Sequence, residues 1–94
     1  MVRQSIVKPS HQDYVLARTT LIERISDGEL SIGEALRGMR EVLGMTQSEY
    51  GLKVAKVSRK VLSQIENNKG DPKLSTLNAC CKAFGLKVGF IIGR

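Results

Sequence analysis

The stretch from residue 46 to 72 carries side chains suited to hydrogen bonding with nucleic-acid bases. It reads TQSEYGLKVAKVSRKVLSQIENNKGDP, and one face of its second half offers cationic and amide groups without a carboxylate. An arginine such as Arg59 can donate two hydrogen bonds to guanine N7 and O6. Gln64 can pair with adenine N6 and N7, and Lys60 can reach a guanine or a phosphate. These residue types indicate a surface that reads base-pair edges in DNA.

A second group of side chains is better suited to phosphates than to bases. Several of them fall near predicted helix ends, where backbone N–H groups also point outward toward anions. Lys53 and Lys73 add electrostatic attraction, or they are solvated surface lysines. The candidate contacts to the DNA backbone are Gln47, Lys56, Ser63, Asn67 and Lys69.

Two short helices must position these groups. Thr46 and Glu49 have the spacing of a capping box, which predicts that the first helix starts there. Ser58 predicts the start of the second, with Val61, Leu62 and Ile65 pointing inward. Two short helices with a brief break between them are typical of a helix-turn-helix, whose second helix lies in the DNA major groove.

The rest of the chain predicts a helical bundle around this motif. Apolar spacing predicts an additional helix at residues 11–27 and another that begins at a Ser31 capping box, buries a stripe that includes Ile32, and stops at Gly44. A last helix is predicted from Ser75 to about residue 84, with Leu74 as a hydrophobic staple. Residues 86–92 alternate between apolar and other side chains, which predicts a short C-terminal β-strand.

The positive charge is concentrated in the second half of the chain. Residues 1–45 hold six basic and six acidic side chains, whereas residues 46–94 hold nine basic and three acidic ones. The whole net charge of +6 therefore lies in the half that contains the two short helices. This asymmetry favours a protein that binds a polyanion, most simply nucleic acid. The alternative is a basic protein that has no such partner.

Catalytic and metal-binding chemistry has little support in the sequence. Cys80 and Cys81 are adjacent and point about 100° apart on a helix, so they are expected to be core thiols without a disulfide. The single histidine, His11, is far from both, and no Cys/His ligand spacing occurs. We expect no enzyme activity, no cofactor and no metal. The absence of a signal peptide and of any long apolar run predicts a cytoplasmic protein without a membrane segment.

Across residues 32–86 the chain resembles the Xre, or Cro/cI-type, helix-turn-helix family. The resemblance implies an all-α fold, a compact lambda-repressor-like bundle of about five helices, and a transcriptional regulator that binds double-stranded DNA. The matching residues are Thr46-Gln47, Ser58-Arg59, Ile65-Glu66-Asn67, Asp71-Pro72, Leu74 and Phe84-Gly85-Leu86.

The resemblance also assigns roles to individual positions. Gln47 corresponds to a residue that contacts the DNA backbone, and Glu66 to an acid that pairs with an arginine on the first bundle helix, here Arg40. The alternative is that Arg40 and Glu66 are two solvated charges. Groove-facing positions of the recognition helix correspond to Ser58, Arg59, Lys60 and Gln64.

Two departures from the family pattern lie in the motif itself. The segment between the two helices is one residue longer than usual and lacks the customary glycine. Gly51 stands where a small alanine is usual. A longer turn can change the angle between the helices, and therefore the register of the second helix in the groove.

The sequence suggests three segments. Residues 1–30 are expected to form an N-terminal arm and an extra helix, residues 31–86 the DNA-binding domain, and residues 87–94 a tail that dimerises through Val88, Phe90 and Ile92. The alternative is a strand folded back on its own helices. A two-fold homodimer would place two recognition helices about 34 Å apart.

A narrower resemblance is to HipB-like antitoxins, which repress their own operon and bind a toxin. The chain is then either a repressor first, or a toxin-neutralising or adaptor subunit with secondary DNA binding. In the second case the helix at residues 11–27 or the tail would supply the protein-binding surface.

Overall fold

The computed structural model describes residues 10–90, which form five α-helices joined by short turns. The third helix continues directly into a π-helical segment (Gly51–Ala55), here called the π-turn, and the fifth into a 3₁₀ turn (Lys82–Phe84). The five helices are α1 (His11–Ser26), α2 (Ile32–Val42), α3 (Gln47–Tyr50), α4 (Arg59–Glu66) and α5 (Leu74–Cys81).

Side-chain caps begin four of these helices. The predicted capping boxes at Ser31 and Thr46 are confirmed, because each hydroxyl accepts from the N3 backbone and the N3 glutamate accepts from the cap backbone. Ser58 caps α4, as predicted, and accepts from the backbone N–H of Val61 at 3.2 Å. The predicted cap at Ser75 is wrong. Helix α5 starts earlier, after Lys73 and without a side-chain cap, and its first residue is exposed instead of forming a staple.

The core lies where α2, α3, α4 and α5 meet. Its largest fully buried side chains are Tyr50, Leu36, Met39, Leu62 and Cys80. The Tyr50 hydroxyl donates to the carbonyl of Cys80 at 2.6 Å, which gives the buried phenol its partner. Both cysteines are buried free thiols, and desolvation raises the pKa of Cys80 to about 11.

Helix α1 packs against α2 and reaches the end of α5. Its Leu21 is buried, and the Arg18 guanidinium donates to the carbonyl of Phe84 at 3.2 Å while lying 5.5 Å from the ring centroid. Val15 and Leu16 remain exposed, the latter at 70%. The helix therefore belongs to the bundle and also leaves two apolar side chains in solvent.

Two residues predicted to lie in the buried stripes of α2 and α4 are exposed. Ile32 is half exposed because it stands at the first position of α2, beyond the cover of neighbouring helices. Val61 is 36% exposed, because α4 turns Leu62 and Ile65 into the core and leaves Val61 at the edge of its outer face. Both helices have the predicted amphipathic period, but their buried stripes are narrower than predicted.

The prediction of a C-terminal strand is wrong for residues 86–90, which contain no strand. Gly85 takes a left-handed conformation (φ 68°), and Leu86 and Val88 then pack against the core. The Val88 N–H donates to Asn78 Oδ1 at 2.8 Å. Residues 10–90 contain no second strand with which this segment could pair, and the side-chain amide of Asn78 accepts the backbone N–H instead. Ile92, like the predicted arm at residues 1–9, lies outside the described residues.

Within residues 10–90, no helix is both long enough and apolar enough to cross a membrane.

Candidate nucleic-acid interface

Helix α4 presents the predicted base-contacting side chains on its outer surface. Arg59, Lys60 and Gln64 are exposed, while Leu62 and Ile65 on the opposite side are buried. Ser58 is also exposed, but its hydroxyl caps the helix and is engaged with the Val61 N–H. The structure therefore brings two cations and one amide together on one helix face. Ser58 instead caps the start of the helix.

The predicted backbone contacts are placed less uniformly. Lys56 and Lys69 are exposed at the two ends of α4, whereas Ser63 is half-buried. The Asn67 side chain is exposed, but its amide donates to the Ser63 carbonyl at 2.9 Å. Gln47 is half-buried, and its Nε2 donates to Glu66 Oε1 at 3.1 Å. Gln47 is thus tied to the interior as well as lying at the start of α3.

Arg40 and Glu66 form a bidentate ion pair between α2 and α4. Arg40 Nε lies 2.8 Å from Glu66 Oε2, and Arg40 Nη2 lies 3.0 Å from Oε1. The Glu66 side chain is fully buried, and that of Arg40 is 12% exposed. Arg40 Nη1 also donates to the carbonyl of Met45 at 3.0 Å. This one pair joins α2, the turn before α3, and α4.

Arg37 extends this network toward the surface. It was not singled out from the sequence, yet its Nε lies 3.6 Å from Glu66 Oε1 and its Nη2 lies 3.5 Å from Asn67 Oδ1. Its side chain is 48% exposed. Arg37 lies one helical turn before Arg40 on α2, and this spacing is the sequence feature that could have predicted its contact with Glu66.

The balance of forces on Glu66 favours its charged form. Burial alone would raise the pKa of Glu66. The hydrogen bonds from Arg40 and Gln47, together with the charges of Arg40 and Arg37, outweigh burial and lower that pKa below its ordinary value. The carboxylate is therefore ionised at neutral pH, and the pair is charge-assisted on both sides.

The longer segment between the helices is accommodated by the π-turn. A π-helical turn holds one more residue than an α-helical turn, which gives room for the extra residue that the resemblance implies. Lys56 then adopts the left-handed conformation (φ 59°) in the segment that customarily contains glycine. The longer segment and the missing glycine therefore both lie in one local feature, the π-turn and the left-handed Lys56 that follows it.

Gly51 is explained by the same feature. A Cβ built on Gly51 would lie 2.6 Å from the carbonyl oxygen of Val57, which is a backbone atom. The Val57 N–H donates to the carbonyl of Gly51 at 3.0 Å, so the two backbones touch directly. The residue before Ser58 therefore occupies the space that an alanine methyl group would need, and glycine is required there.

A second close approach fixes the other end of α4, and we call it the Gly33–Asn68 clasp. Asn68, left-handed at φ 55°, accepts from the Gly33 N–H at 2.9 Å and donates to Ser31 Oγ at 3.2 Å. A Cβ on Gly33 would lie 2.5 Å from the carbonyl oxygen of Glu66. The left-handed Asn68 was predictable from its type, but its contacts with α2 depend on tertiary structure.

A short helix connected by a turn to a second helix with an exposed polar face is the arrangement of the helix-turn-helix class of DNA-binding proteins. A sequence model of the helix-turn-helix family matches residues 36–91, more than half of the chain. The chain belongs to this family, in its Xre (Cro/cI-type) branch.

One curated relative is similar over most of this chain. It is the immunity repressor protein of Bacillus phage phi105, 34% identical over 65 residues. The alignment covers 69% of this chain and 44% of the relative, so the chain spans less than half of that protein's length. No solved structure matches the chain significantly.

Proposed function

We propose that this protein is a sequence-specific DNA-binding regulator of transcription that acts as a repressor. The single observation that carries the proposal is the outer face of α4, where Arg59, Lys60 and Gln64 are exposed on a helix whose other face is buried. Family membership and the similarity to a phage immunity repressor support it. The site of action would be the cytoplasm, on chromosomal or phage DNA.

In this proposal α4 lies in the major groove and α3 lies against the DNA backbone. Arg59 would read guanine and Gln64 adenine, with Lys60 serving a base or a phosphate. Gln47, Lys56, Asn67 and Lys69 surround this face and would fix the register through phosphates. Residues 31–86 would form the DNA-binding unit, with the segments at residues 1–30 and 87–94 as additions to it.

Arg59→Ala is the substitution that tests this function. We expect the variant to lose about 1–3 kcal/mol on a specific duplex selected from a random library, and to tolerate a changed base pair at one position. Lys53→Ala is the matched control, because it removes an exposed cation outside α4. It should weaken specific and random DNA alike and flatten the salt dependence. Fluorescence anisotropy across a salt series measures both, and equal losses of Arg59→Ala on the two DNAs would contradict base reading.

We further propose that the protein acts as a homodimer through its C-terminal tail. Phe90 is fully exposed, and an aromatic ring in this position is suited to an intermolecular contact. Val88 is already packed against its own core and would hold the tail in place instead of forming the contact itself. Ile92 remains part of the proposed contact. The two recognition helices would then meet half-sites about 34 Å apart.

Phe90→Glu is expected to shift the protein from dimer to monomer. A buried charge without a partner at the contact would cost several kcal/mol, enough to dissociate a small interface. Analytical ultracentrifugation over a concentration series measures the change. Leu52→Glu is a matched control, since Leu52 is also a largely exposed apolar residue and lies outside the tail. A wild-type protein that is monomeric at all concentrations would refute the dimer.

A second candidate function is a protein-interaction subunit, such as the antitoxin of a toxin–antitoxin operon. The observation that favours it is the pair of exposed apolar side chains on α1, Val15 and Leu16. In that case a protein partner would cover α1, and DNA binding would be secondary. The two candidates differ in what Arg59 and Gln64 do: a repressor needs them for its biological activity, and an interaction subunit does not.

A further inference from the structure

A recess lies at the outer edge of α4, and the hydrogen-bonding roles proposed for Arg59, Lys60 and Gln64 assign no function to it. It has a volume of about 170 Å³ and lies between the helix and the turn that follows it. Val61 and Gln64 form its helix side, and the turn closes the other side. The lining residues are Val61, Gln64, Ile65, Lys69, Asp71 and Pro72.

Val61 and Gln64 are neighbours on the surface of α4. They are three residues apart, a spacing that places two side chains side by side on a helix. Gly70 in the turn lies against Gln64, since a Cβ on Gly70 would be 3.6 Å from Gln64 Oε1. The turn therefore lies close to the glutamine amide, and the partly exposed valine methyl groups line the same recess.

The charges around the recess disfavour a phosphate as its occupant. The carboxylate of Asp71 repels an anion, and it balances the single cation of Lys69. Ile65 and Pro72 add apolar surface. A neutral group with an apolar projection is the better match, and on a DNA base pair that group is the 5-methyl of thymine, which protrudes into the major groove.

We propose that Val61 is a specificity-determining residue that contacts the 5-methyl group of a thymine beside the base read by Gln64. This inference rests on the proposed function, because it requires α4 to lie in the major groove. It assigns a base preference to an apolar residue that donates no hydrogen bond. Thymine would be preferred over cytosine at that position because burying a methyl group against Val61 is favourable.

The test compares thymine with uracil, which differs only by the methyl group. Wild-type protein first enriches a duplex from a random library, and each thymine of that duplex is then replaced singly by deoxyuracil. We expect one replacement to weaken wild-type binding about three- to fivefold, as expected for one buried methyl group. Val61→Ala should lose this sensitivity, with almost equal dissociation constants on the two duplexes. Val61→Thr, which keeps one methyl group and the side-chain shape, should retain part of it.

Leu16→Ala is the matched control, because it truncates an exposed apolar side chain on α1 and should leave the uracil penalty unchanged. Circular dichroism checks that the variants fold. The inference is overturned if no uracil replacement weakens the wild type, or if Val61→Ala suffers the same penalty. A library that yields no enriched sequence at all would overturn the proposed function, and this inference with it.

Discussion

Replacing Glu66 with Gln should lower the free energy of unfolding by about 3–5 kcal/mol, because it leaves Arg40 without its buried partner. The carboxylate accepts from Arg40 through both oxygens and from Gln47 through one. An amide cannot replace these charge-assisted bonds, and its own NH₂ group would face the donors of Arg40. Urea unfolding followed by circular dichroism measures the loss.

Two further variants separate the ion pair from a general loss of charge. Glu23→Gln removes an exposed carboxylate on α1 and should change stability by less than about 0.5 kcal/mol. The double change Arg40→Met with Glu66→Leu should recover most of the stability, since apolar side chains of similar size can replace a buried pair. If the double variant is destabilised as much as Glu66→Gln, the unpaired charge of Arg40 is not the cause of the loss of stability.

The ion pair also predicts the direction of acid sensitivity. The pKa of Glu66 is lower in the folded protein than its ordinary value of 4.5. The unfolded chain therefore binds a proton more readily, and the stabilisation from Glu66 is present above about pH 4.5 and is lost as the pH falls through the folded pKa. Glu66→Gln should remove this part of the acid-induced loss. The slope of stability against pH below pH 5 then becomes shallower than in the wild type.

The second large effect is expected for Gly51→Ala. At an unhindered helix position alanine is favoured over glycine by about 1 kcal/mol. Here the methyl group would meet the carbonyl oxygen of Val57, so we expect a loss of about 1–3 kcal/mol instead. Thermal unfolding measures the change, and a stabilised variant would show that the approach of the two backbones is looser than the structure indicates.

Gly38→Ala is the control for this prediction. A Cβ on Gly38 would also lie 2.6 Å from another atom, but that atom is Cδ1 of Leu21, at the end of a flexible side chain. Leu21 can change rotamer, whereas the Val57 carbonyl is part of the backbone and precedes Ser58. Gly51→Ala should therefore also displace the start of α4 and weaken specific DNA binding, while Gly38→Ala leaves binding unchanged.

Local chemistry made much of the fold predictable. The capping hydroxyls of Ser31, Thr46 and Ser58, each three residues before the N–H that it accepts from, are local features, and all three helix starts are where they were expected. The Arg40–Glu66 pair was expected only through resemblance to a family, because 26 residues separate the two charges. No local rule connects them.

The features that could not be predicted depend on tertiary packing. Periodicity places Val61 near the apolar side of α4, but only the neighbouring helices and the turn at residues 69–72 decide whether it is covered. The apolar alternation after Gly85 has the period of a strand, yet the core and Asn78 hold Leu86 and Val88 instead. The left-handed conformation of Lys56 could not be predicted from residue type, because lysine rarely adopts it.

The Gly33–Asn68 clasp has a thermodynamic consequence for recognition. Together with the approach of Val57 to Gly51, it fixes α4 at both ends, and the Arg40–Glu66 pair fixes its last turn. A helix that is already immobile loses little conformational entropy when a ligand arrives. Binding free energy is therefore not consumed in ordering the backbone of the reading surface. In the proposed complex the remaining entropic cost would fall on the exposed side chains of Arg59, Lys60 and Gln64, whose rotamers DNA would select.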